Sequence, residues 1–381
     1  MLPGWLRIRV ELPIRYDAGV GENLIEVIPA PPIRLPSLTS LRWFAATAVF
    51  LRHAKVAPWL GTQGATGVSF FFMLSGFVLA WSMREGQTYR DFAVRRIARI
   101  YPAHAVSTAI SLPILIGVGV FSASGDMLPG IVSLSLLQSW IPNASYYFGG
   151  NLVSWSLSNE VFFYLMFPVL MGPISGIAKP QRLGRLWFLI IVLCAVGVSM
   201  PFFVRPQAEV GFGFWLVYVN PAFRLLEFAL GMTLARIVKE GLVPHLPFSA
   251  CATLAFAAYV VAGWVPTYAM YSAVTLVPFA FLLVAAAQSD VKGTTSRVLR
   301  SKTLQTLGAW SFAFYLIHST IIVATRAMTN RYDLSVSPWM VAFGCYLAAT
   351  IGASALYLGV EVPAERWMRN RFLKAKVPAG V

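Results

Sequence analysis

Charged residues are scarce in this chain. Asp, Glu, Lys and Arg make up only 12% of its 381 residues, whereas hydrophobic residues make up 57% and the mean hydropathy is +0.68. Soluble domains have about 25% charged residues. The composition therefore excludes an ordinary soluble protein and indicates one that crosses a lipid bilayer many times.

Cysteine and acidic residues are also in short supply. Cys194, Cys251 and Cys345 fall within apolar stretches and lack the spacing of a metal site, so we expect them to pack as small hydrophobic groups and expect no bound metal. Acidic residues number 15 against 30 basic ones, a net charge of +15. In a soluble protein that excess would indicate nucleic acid. Here the basic residues flank apolar stretches, as they do at the cytoplasmic face of membrane proteins, so we expect no nucleic-acid partner.

Apolar stretches long enough to span a bilayer predict about ten transmembrane helices. They cover residues 38–57, 66–83, 103–121, 160–178, 186–204, 214–235, 246–264, 268–287, 304–325 and 338–360. The shorter stretch 127–140 is predicted to be interfacial or re-entrant. With the N-terminus inside, the cytoplasmic pieces carry 23 of the 30 Lys and Arg residues. The prediction is an all-α polytopic membrane helix bundle with both termini cytoplasmic, located in the plasma membrane.

One domain is expected, between two cytoplasmic tails. The tails cover residues 1–37 and 372–381, and the transmembrane domain covers residues 38–371. Nothing in the sequence fixes the oligomeric state, although a homodimer would be compatible with it.

Arg42 and His53 form the most informative pair in the sequence. Their eleven-residue separation places both side chains on one face of a helix, roughly 16 Å apart along its axis. Such groups persist inside a bilayer mainly where they have a function. A guanidinium and an imidazole on one interior face indicate an anion-holding group and a proton-transfer group.

A second group is the basic segment RDFAVRRIARIYP, with Arg90, Arg95, Arg96 and Arg99. Arginine side chains suit phosphate binding, but such a ridge also anchors a helix at the cytoplasmic face or binds anionic lipid headgroups. In FFFMLSGF, the small residues Ser75 and Gly76 would allow close approach of either a helix or the chain of a ligand.

A third group is NLVSWSLSNE, which leads into the predicted fourth span. Trp155, Ser156, Ser158 and Glu160 offer a stacking ring and hydrogen-bonding groups suited to a sugar, although Glu160 would also favour a helix N-terminus as a simple cap.

Two intramembrane sites complete the set. Arg224 and Glu227 are three residues apart and could neutralise each other. His318 lies one turn from Tyr315, and a lone histidine of this kind is usually a packing residue.

The motifs in this order resemble those of the acyltransferase-3 superfamily of membrane-bound O-acyltransferases, from about Leu35 to Arg371. The resemblance rests on the Arg42/His53 pair together with FFFMLSGF, RRIARIYP, WSLSNE, RLLEFALGM, GAWSFAFYLIH and VEVPAER. It implies transfer of a short acyl group, by default acetyl, from acyl-CoA to a hydroxyl of a carbohydrate or glycosylated natural product. The wording of two motifs is closer to actinobacterial members, some of which acylate macrolide sugars.

The resemblance also implies roles for individual residues. Arg42, His53 and Glu160 are expected to be catalytic, with His53 as general base and with Glu160 either orienting His53 or holding the acceptor. Arg42 would stabilise charge at the thioester carbonyl or pair with an intramembrane acid such as Glu227. The donor would contact Arg95, Arg96, Arg99, Ser75 and Gly76, and the acceptor would contact Trp155, Ser156, Ser158, Tyr315 and His318. The competing interpretation is a transporter or flippase that uses the same groups as a pathway.

Overall fold

The computed structural model describes residues 34–83, 87–122, 127–206 and 210–373, and within these ranges the regular structure is helical. The long helices are α1 Pro36–Ala54, α2 Thr66–Ser82, α3 Tyr89–Gly117, α4 Trp155–Ile177, α5 Leu183–Val204, α6 Pro221–Lys239, α7 Phe248–Ala262, α8 Leu276–Val291, α9 Lys302–Arg331 and α10 Pro338–Leu356. A π-helical turn, Tyr357–Glu361, joins α10 to α11, Val362–Phe372. The all-helical prediction is confirmed for the described residues.

Six segments in the described part of the chain are long and apolar enough to cross a membrane. They are Pro58–Ser82, Tyr89–Gly117, Trp155–Ile177, Pro180–Val204, Lys302–Arg331 and Pro338–Phe372. Each of the ten predicted spans overlaps one of the helices α1 to α10. However, α7 and α8 are short, and α1 and α6 carry charged side chains along their length. The count of about ten spans therefore stays a prediction, as does the cytoplasmic location of the termini.

Contacts between distant residues define the two ends of the bundle. At one end, the backbone N–H of Ser37 donates to the Asp290 carboxylate at 3.0 Å, and the amide of Gln305 donates to the Pro36 carbonyl at 2.6 Å. Thus the start of α1 lies beside the end of α8 and the start of α9. At the opposite end, Arg326 of α9 donates to the backbone at the end of α1. Helices α1 and α9 therefore run parallel, with α8 antiparallel to both.

Helices α2 and α6 cross at very close range. A Cβ on Gly76 would lie 2.0 Å from the Phe228 carbonyl oxygen, and a Cβ on Gly231 would lie 1.9 Å from that of Met73. Only glycine allows this separation, since any larger residue would collide with backbone. Gly76 thus contacts a neighbouring helix. The alternative of a ligand passing over Gly76 does not fit this packing.

The stretch 127–140 does not form a spanning helix. It contains an eight-residue helix, Met127–Leu134, and a single turn, Gln138–Trp140. Eight residues extend about 12 Å, well short of a hydrocarbon core of about 30 Å. The Ser139 hydroxyl donates to the Trp155 carbonyl at 2.6 Å, which fixes this stretch to the start of α4. Its interfacial or re-entrant placement stays a prediction.

Candidate active site

Two imidazoles meet inside the bundle where α1 ends. His53 Nδ1 lies 2.9 Å from His318 Nε2, and the ring centroids are 5.0 Å apart. His318 is fully buried, whereas His53 is partly exposed. The residues are 265 positions apart in the chain. The sequence placed both on inward-facing positions but gave no sign that they touch.

The hydrogen bonds of the pair determine which nitrogen carries each proton. His318 Nδ1 lies 2.7 Å from the Tyr315 carbonyl oxygen, which can only accept, so Nδ1 is the protonated nitrogen. His318 Nε2 is then an acceptor, and His53 must donate to it through Nδ1–H. The lone pair of His53 consequently lies on Nε2. His318 thus fixes the tautomer of His53 through this hydrogen bond, which is the contact expected in one of the two roles that the sequence suggested for Glu160.

The local backbone explains why His53 is held at this place. Helix α1 ends at Lys55, whose φ of +50° closes the last turn with a hydrogen bond to the Leu51 carbonyl at 3.1 Å. The Arg326 guanidinium donates to the carbonyls of His53, at 3.2 Å, and of Ala54. A cation at a helix C-terminus is electrostatically favourable. Arg326, which sequence reasoning passed over, therefore fixes the backbone beneath the imidazole.

Aromatic rings surround the imidazole pair. The ring of His318 stacks on Phe314 at 7° and 5.8 Å, and Phe50 lies 6.3 Å from His318 between Phe314 and Tyr346. These rings exclude water from one side of the pair. The imidazole pair is therefore packed against apolar side chains on that side.

The predicted acceptor residues form a packed layer deeper in the bundle. Trp155 is 4% exposed, and its ring lies 4.9 Å from that of Tyr218 and 6.4 Å from that of Phe72. The Tyr315 hydroxyl donates to the Val153 carbonyl at 3.0 Å and accepts from Ser156 at 3.0 Å. Ser158 is also buried. In this arrangement the ring of Trp155 is covered by protein, and Ser156 and Tyr315 are bonded to each other.

Charged groups gather at the Arg42 level of the bundle. The Tyr164 hydroxyl donates to the Glu160 carboxylate at 2.8 Å and also hydrogen-bonds to Ser75. Arg42 and Glu160 lie close enough for their charges to act on each other, and both interact with the charge of Arg99. Glu160 therefore belongs to the charge network around Arg42 and not to the imidazole pair. Ser75 faces the same network, unlike its neighbour Gly76.

The four arginines of the basic segment of α3 differ in their contacts and in their exposure. Arg99 forms ion pairs with Glu361, at 2.5 Å, and with Glu365, at 3.5 Å. Arg96 lies over the Phe92 ring at 5.8 Å and acts electrostatically on Glu160. Arg95 is partly exposed and Arg90 is exposed. Arg99 is thus already paired with carboxylates from the C-terminal part of the chain, a partner the sequence did not indicate.

Arg224 and Glu227 neutralise each other, which was one of the two sequence alternatives. Their side chains are 3.1 Å apart and are 0% and 5% exposed. Arg224 also donates to the Ser69 hydroxyl at 3.0 Å and lies over the rings of Phe72 and Tyr218 at 5.1 and 5.3 Å. Arg42, by contrast, acts on Glu160 and Glu361, so the suggested interaction of Arg42 with an acid is found with these two residues and not with Glu227.

One cavity lies beside the His53–His318 pair, and a second lies beside Arg99 of the Arg42 network. One, of about 240 Å³, is lined at the His53 end by Ala54, Arg326, Thr329 and Asn330 together with apolar side chains of α9 and α10. The other, of about 340 Å³, is lined by Arg99 and by residues of α11. In the described part of the chain, His, Cys, Asp and Glu form no group of three or more with metal-binding geometry.

Comparison with protein families identifies the architecture. Residues 35–358 match the family model described as an acyltransferase domain (Acyl_transf_3). The chain belongs to the acyltransferase-3 family. The resemblance inferred from the motifs is thereby confirmed. The matched residues include the His53–His318 pair and, in the Arg42 network, Arg42, Arg99 and Glu160, whereas Glu361 lies just beyond them.

Curated relatives of this acyltransferase come from several bacteria. Acyltransferase MdmB of Streptomyces mycarofaciens is 36% identical over 388 residues, covering 92% of this chain and 97% of MdmB. The exopolysaccharide production protein ExoZ of Rhizobium meliloti is 28% identical, covering 82% of this chain and 93% of ExoZ. O-acetyltransferase OatA of Staphylococcus aureus is 24% identical, and the match spans 88% of this chain but 58% of OatA. No solved structure matches this chain.

Proposed function

We propose that this acyltransferase moves a short acyl group, by default acetyl, from acyl-CoA to a hydroxyl of a carbohydrate or glycosylated natural product. The observation that carries the proposal is the imidazole pair, in which His318 holds His53 with a free lone pair on Nε2. Family membership supports acyl transfer as the reaction class. We place the enzyme in the plasma membrane with both termini cytoplasmic.

The proposed reaction needs one base and no covalent enzyme intermediate. His53 Nε2 takes the proton of the acceptor hydroxyl while the hydroxyl oxygen forms a bond to the thioester carbonyl carbon. The carbon–sulfur bond then breaks, and the leaving thiolate takes the proton back from the His53 imidazolium, giving an ester and free CoA. General-base assistance of this kind contributes a rate factor of roughly 10²–10⁴. Throughout, the His318 Nε2 lone pair stabilises the proton on His53 Nδ1.

The donor is proposed to approach from the cytoplasmic end. Its phosphates would meet the basic segment of α3, where Arg95, Arg96 and Arg99 are partly exposed. Its narrow pantetheine arm would then pass Ser75 and Glu160 toward the imidazole pair. Gly76 has no part in this route, because the α6 backbone covers it.

Arg42 is proposed to act on the donor and not at the carbonyl. It lies roughly 16 Å from His53 along α1. Its charge acts on Arg99, Glu160 and Glu361, which lie near the start of α1 and not near His53. A group that stabilises the reacting carbonyl must lie about 3 Å from the developing oxyanion. That separation favours contact between Arg42 and the more distant part of the donor.

The acceptor is proposed to reach His53 through the cavity of about 240 Å³ beside Ala54. Thr329 and Asn330 offer hydrogen-bonding groups for sugar hydroxyls, and the apolar side chains of α9 and α10 suit an aglycone such as a macrolide. The similarity to acyltransferase MdmB supports acyl transfer as the reaction, and the names of OatA and ExoZ support acetyl as the group and polysaccharide as one acceptor.

The test is an acyl-transfer assay on the purified protein in detergent. Radiolabelled acetyl-CoA is offered with a panel of sugars and macrolides, and the His53→Ala variant is assayed beside the wild type. We expect transfer to one acceptor class that the variant has lost, with CoA binding unchanged. Transfer by His53→Ala at a near-normal rate would refute His53 as the base. Absence of CoA binding by the wild type would refute the donor and favour a transporter.

A further inference from the structure

A cavity of about 340 Å³ lies between the basic segment of α3 and the C-terminal helix α11. The side chains that line it include Arg99, Tyr357, Glu365, Arg366, Arg369 and Asn370. Its volume falls in the range of about 300–1,000 Å³ that is typical of small-molecule sites. Most of this lining comes from residues beyond 358, where the match to the family model ends.

The lining is strongly cationic. It contains three arginines against a single carboxylate, Glu365. Arg366 and Arg369 are three residues apart on α11, so their side chains lie on the same side of that helix. Both are exposed in the structure. Guanidinium groups converging on a cavity are the arrangement that proteins use to hold phosphates.

Glu365 lies in the position that an anionic ligand would take. Its carboxylate is 3.5 Å from Arg99 and 3.2 Å from Arg369, so it bridges the two sides of the cavity. Arg99 is also held from behind by Glu361, which is 0% exposed, at 2.5 Å. The guanidinium of Arg99 is therefore fixed in place while 27% of its side chain stays exposed. A phosphate could replace Glu365 without displacing Arg99.

Arg99 connects the cavity electrostatically to the Arg42 network inside the enzyme. Arg99 lines the cavity, and its charge also acts on Arg42 and Glu160. The partly buried ring of Tyr357 lies at the cavity wall and offers a surface on which a nucleobase can stack.

We infer that this cavity binds the phosphorylated adenosine end of acyl-CoA, and that Arg366 and Arg369 of α11 contact its phosphates together with Arg99. This inference rests on acyl-CoA being the donor, as proposed above. The donor then lies with its nucleotide between α3 and α11 and its thioester end directed toward His53. In the unliganded enzyme, Glu365 occupies part of the phosphate position.

The first test is CoA binding by the full chain, measured by titration calorimetry in lipid-free neutral detergent. We expect Arg366→Ala/Arg369→Ala to weaken the CoA affinity about tenfold, equivalent to about 1.4 kcal/mol. Arg371→Ala is the matched control, because Arg371 is an exposed arginine on the same helix that does not line the cavity. Its CoA affinity should stay within about twofold of the wild type.

Two further measurements distinguish direct contact between the arginines and a phosphate from a purely structural role of α11. Dephospho-CoA lacks the 3′-phosphate, so the wild type should bind it more weakly than CoA. If the arginines contact that phosphate, the double variant should lose this discrimination. Glu365→Gln should instead tighten CoA binding about threefold, because it removes the carboxylate that competes for the arginines. Loosening of α11 would produce weaker binding in both variants.

The outcomes distinguish this inference from the proposed function. If the wild type binds CoA and the double variant binds it equally well, the donor assignment stands and the α11 site is wrong. If the double variant keeps its CoA affinity but binds phosphatidylglycerol vesicles less well than the wild type, the arginines contact lipid headgroups and the inference is again wrong. If the wild type does not bind CoA, both proposals fail.

Discussion

The two ends of α1 present opposite chemistry. The His53 end contains two imidazoles linked by one hydrogen bond, surrounded by aromatic rings and held by a backbone carbonyl. At the Arg42 end, guanidinium and carboxylate groups act on one another across three helices. Proton transfer needs a neutral base with a defined lone pair, whereas donor binding needs fixed charge. The separation of roughly 16 Å along α1 places the Arg42 network far from the proton that His53 is proposed to accept.

The largest effect should come from removing the base. We expect His53→Ala to lower kcat by a factor of roughly 10²–10⁴ with the affinity for CoA unchanged, because the donor site lies at the other end of α1. His245→Ala is the matched control, since His245 is exposed and lies in a loop. Steady-state kinetics and CoA titration on both variants provide the measurement. A loss of CoA binding in His53→Ala would contradict the proposal that proton transfer and donor binding occur at opposite ends of α1.

The next largest effect is expected on the stability of the protein when the Arg99–Glu361 ion pair is removed. Arg99→Ala removes the cation that lies 2.5 Å from the Glu361 carboxylate, which is 0% exposed, and removal of one member of a buried ion pair destabilises by about 3 kcal/mol. We expect a clear fall in the thermal denaturation midpoint. The double variant Arg99→Ala/Glu361→Gln should recover much of the loss, because a neutral amide tolerates burial better than an unpaired carboxylate. Failure of the second substitution to restore stability would show that Arg99 acts through other contacts.

A smaller effect on rate is expected from the orienting histidine. His318→Ala should lower kcat by roughly 10–100-fold, about 1.4–2.7 kcal/mol, and leave the KM for acyl-CoA unchanged. His318→Gln should recover part of the rate, since its amide oxygen can accept the proton of His53 Nδ1. If alanine and glutamine behave alike, His318 only packs against Phe314, which was the ordinary interpretation from the sequence.

The smallest effect should appear at the basic segment of α3. Arg96→Ala is expected to raise the KM for acyl-CoA about tenfold, about 1.4 kcal/mol, with little change in kcat. Arg90→Ala is the control, because Arg90 belongs to the same segment but is exposed. Equal KM values for the two variants and the wild type would leave the segment with an anchoring role only.

The helices themselves were predictable because hydropathy is a local property. Each of the ten apolar stretches overlaps a long helix, and 127–140, which was predicted not to span, forms only a short helix and a turn. The side-chain assignments around α4 were less accurate. Trp155 and Glu160 are five residues apart, so they lie about 140° apart around the helix and Glu160 is about 7.5 Å deeper. A single sugar-binding surface from WSLSNE was therefore not available, and Glu160 joined the Arg42 network instead.

Contacts between distant segments were the part that the sequence could not predict. The His53–His318 bond joins residues 265 positions apart, and the Arg99–Glu361 bond joins α3 to the turn before α11. Each residue was noticed in its own motif. Their pairing depends on which helices are neighbours, and hydropathy does not contain that information.

The long separation of His53 and His318 has a consequence for biosynthesis. His53, the proposed base, is made with the first helix, but His318, which is proposed to orient it, is made with the ninth. A nascent chain that has not yet reached His318 carries His53 without a defined tautomer, even if the earlier helices are already in the membrane. The enzyme therefore acquires its catalytic geometry only late in synthesis, and truncated products that end before α9 are expected to be inert. Co-expression of two fragments divided before α9 would restore activity only if the fragments reassemble in the bilayer.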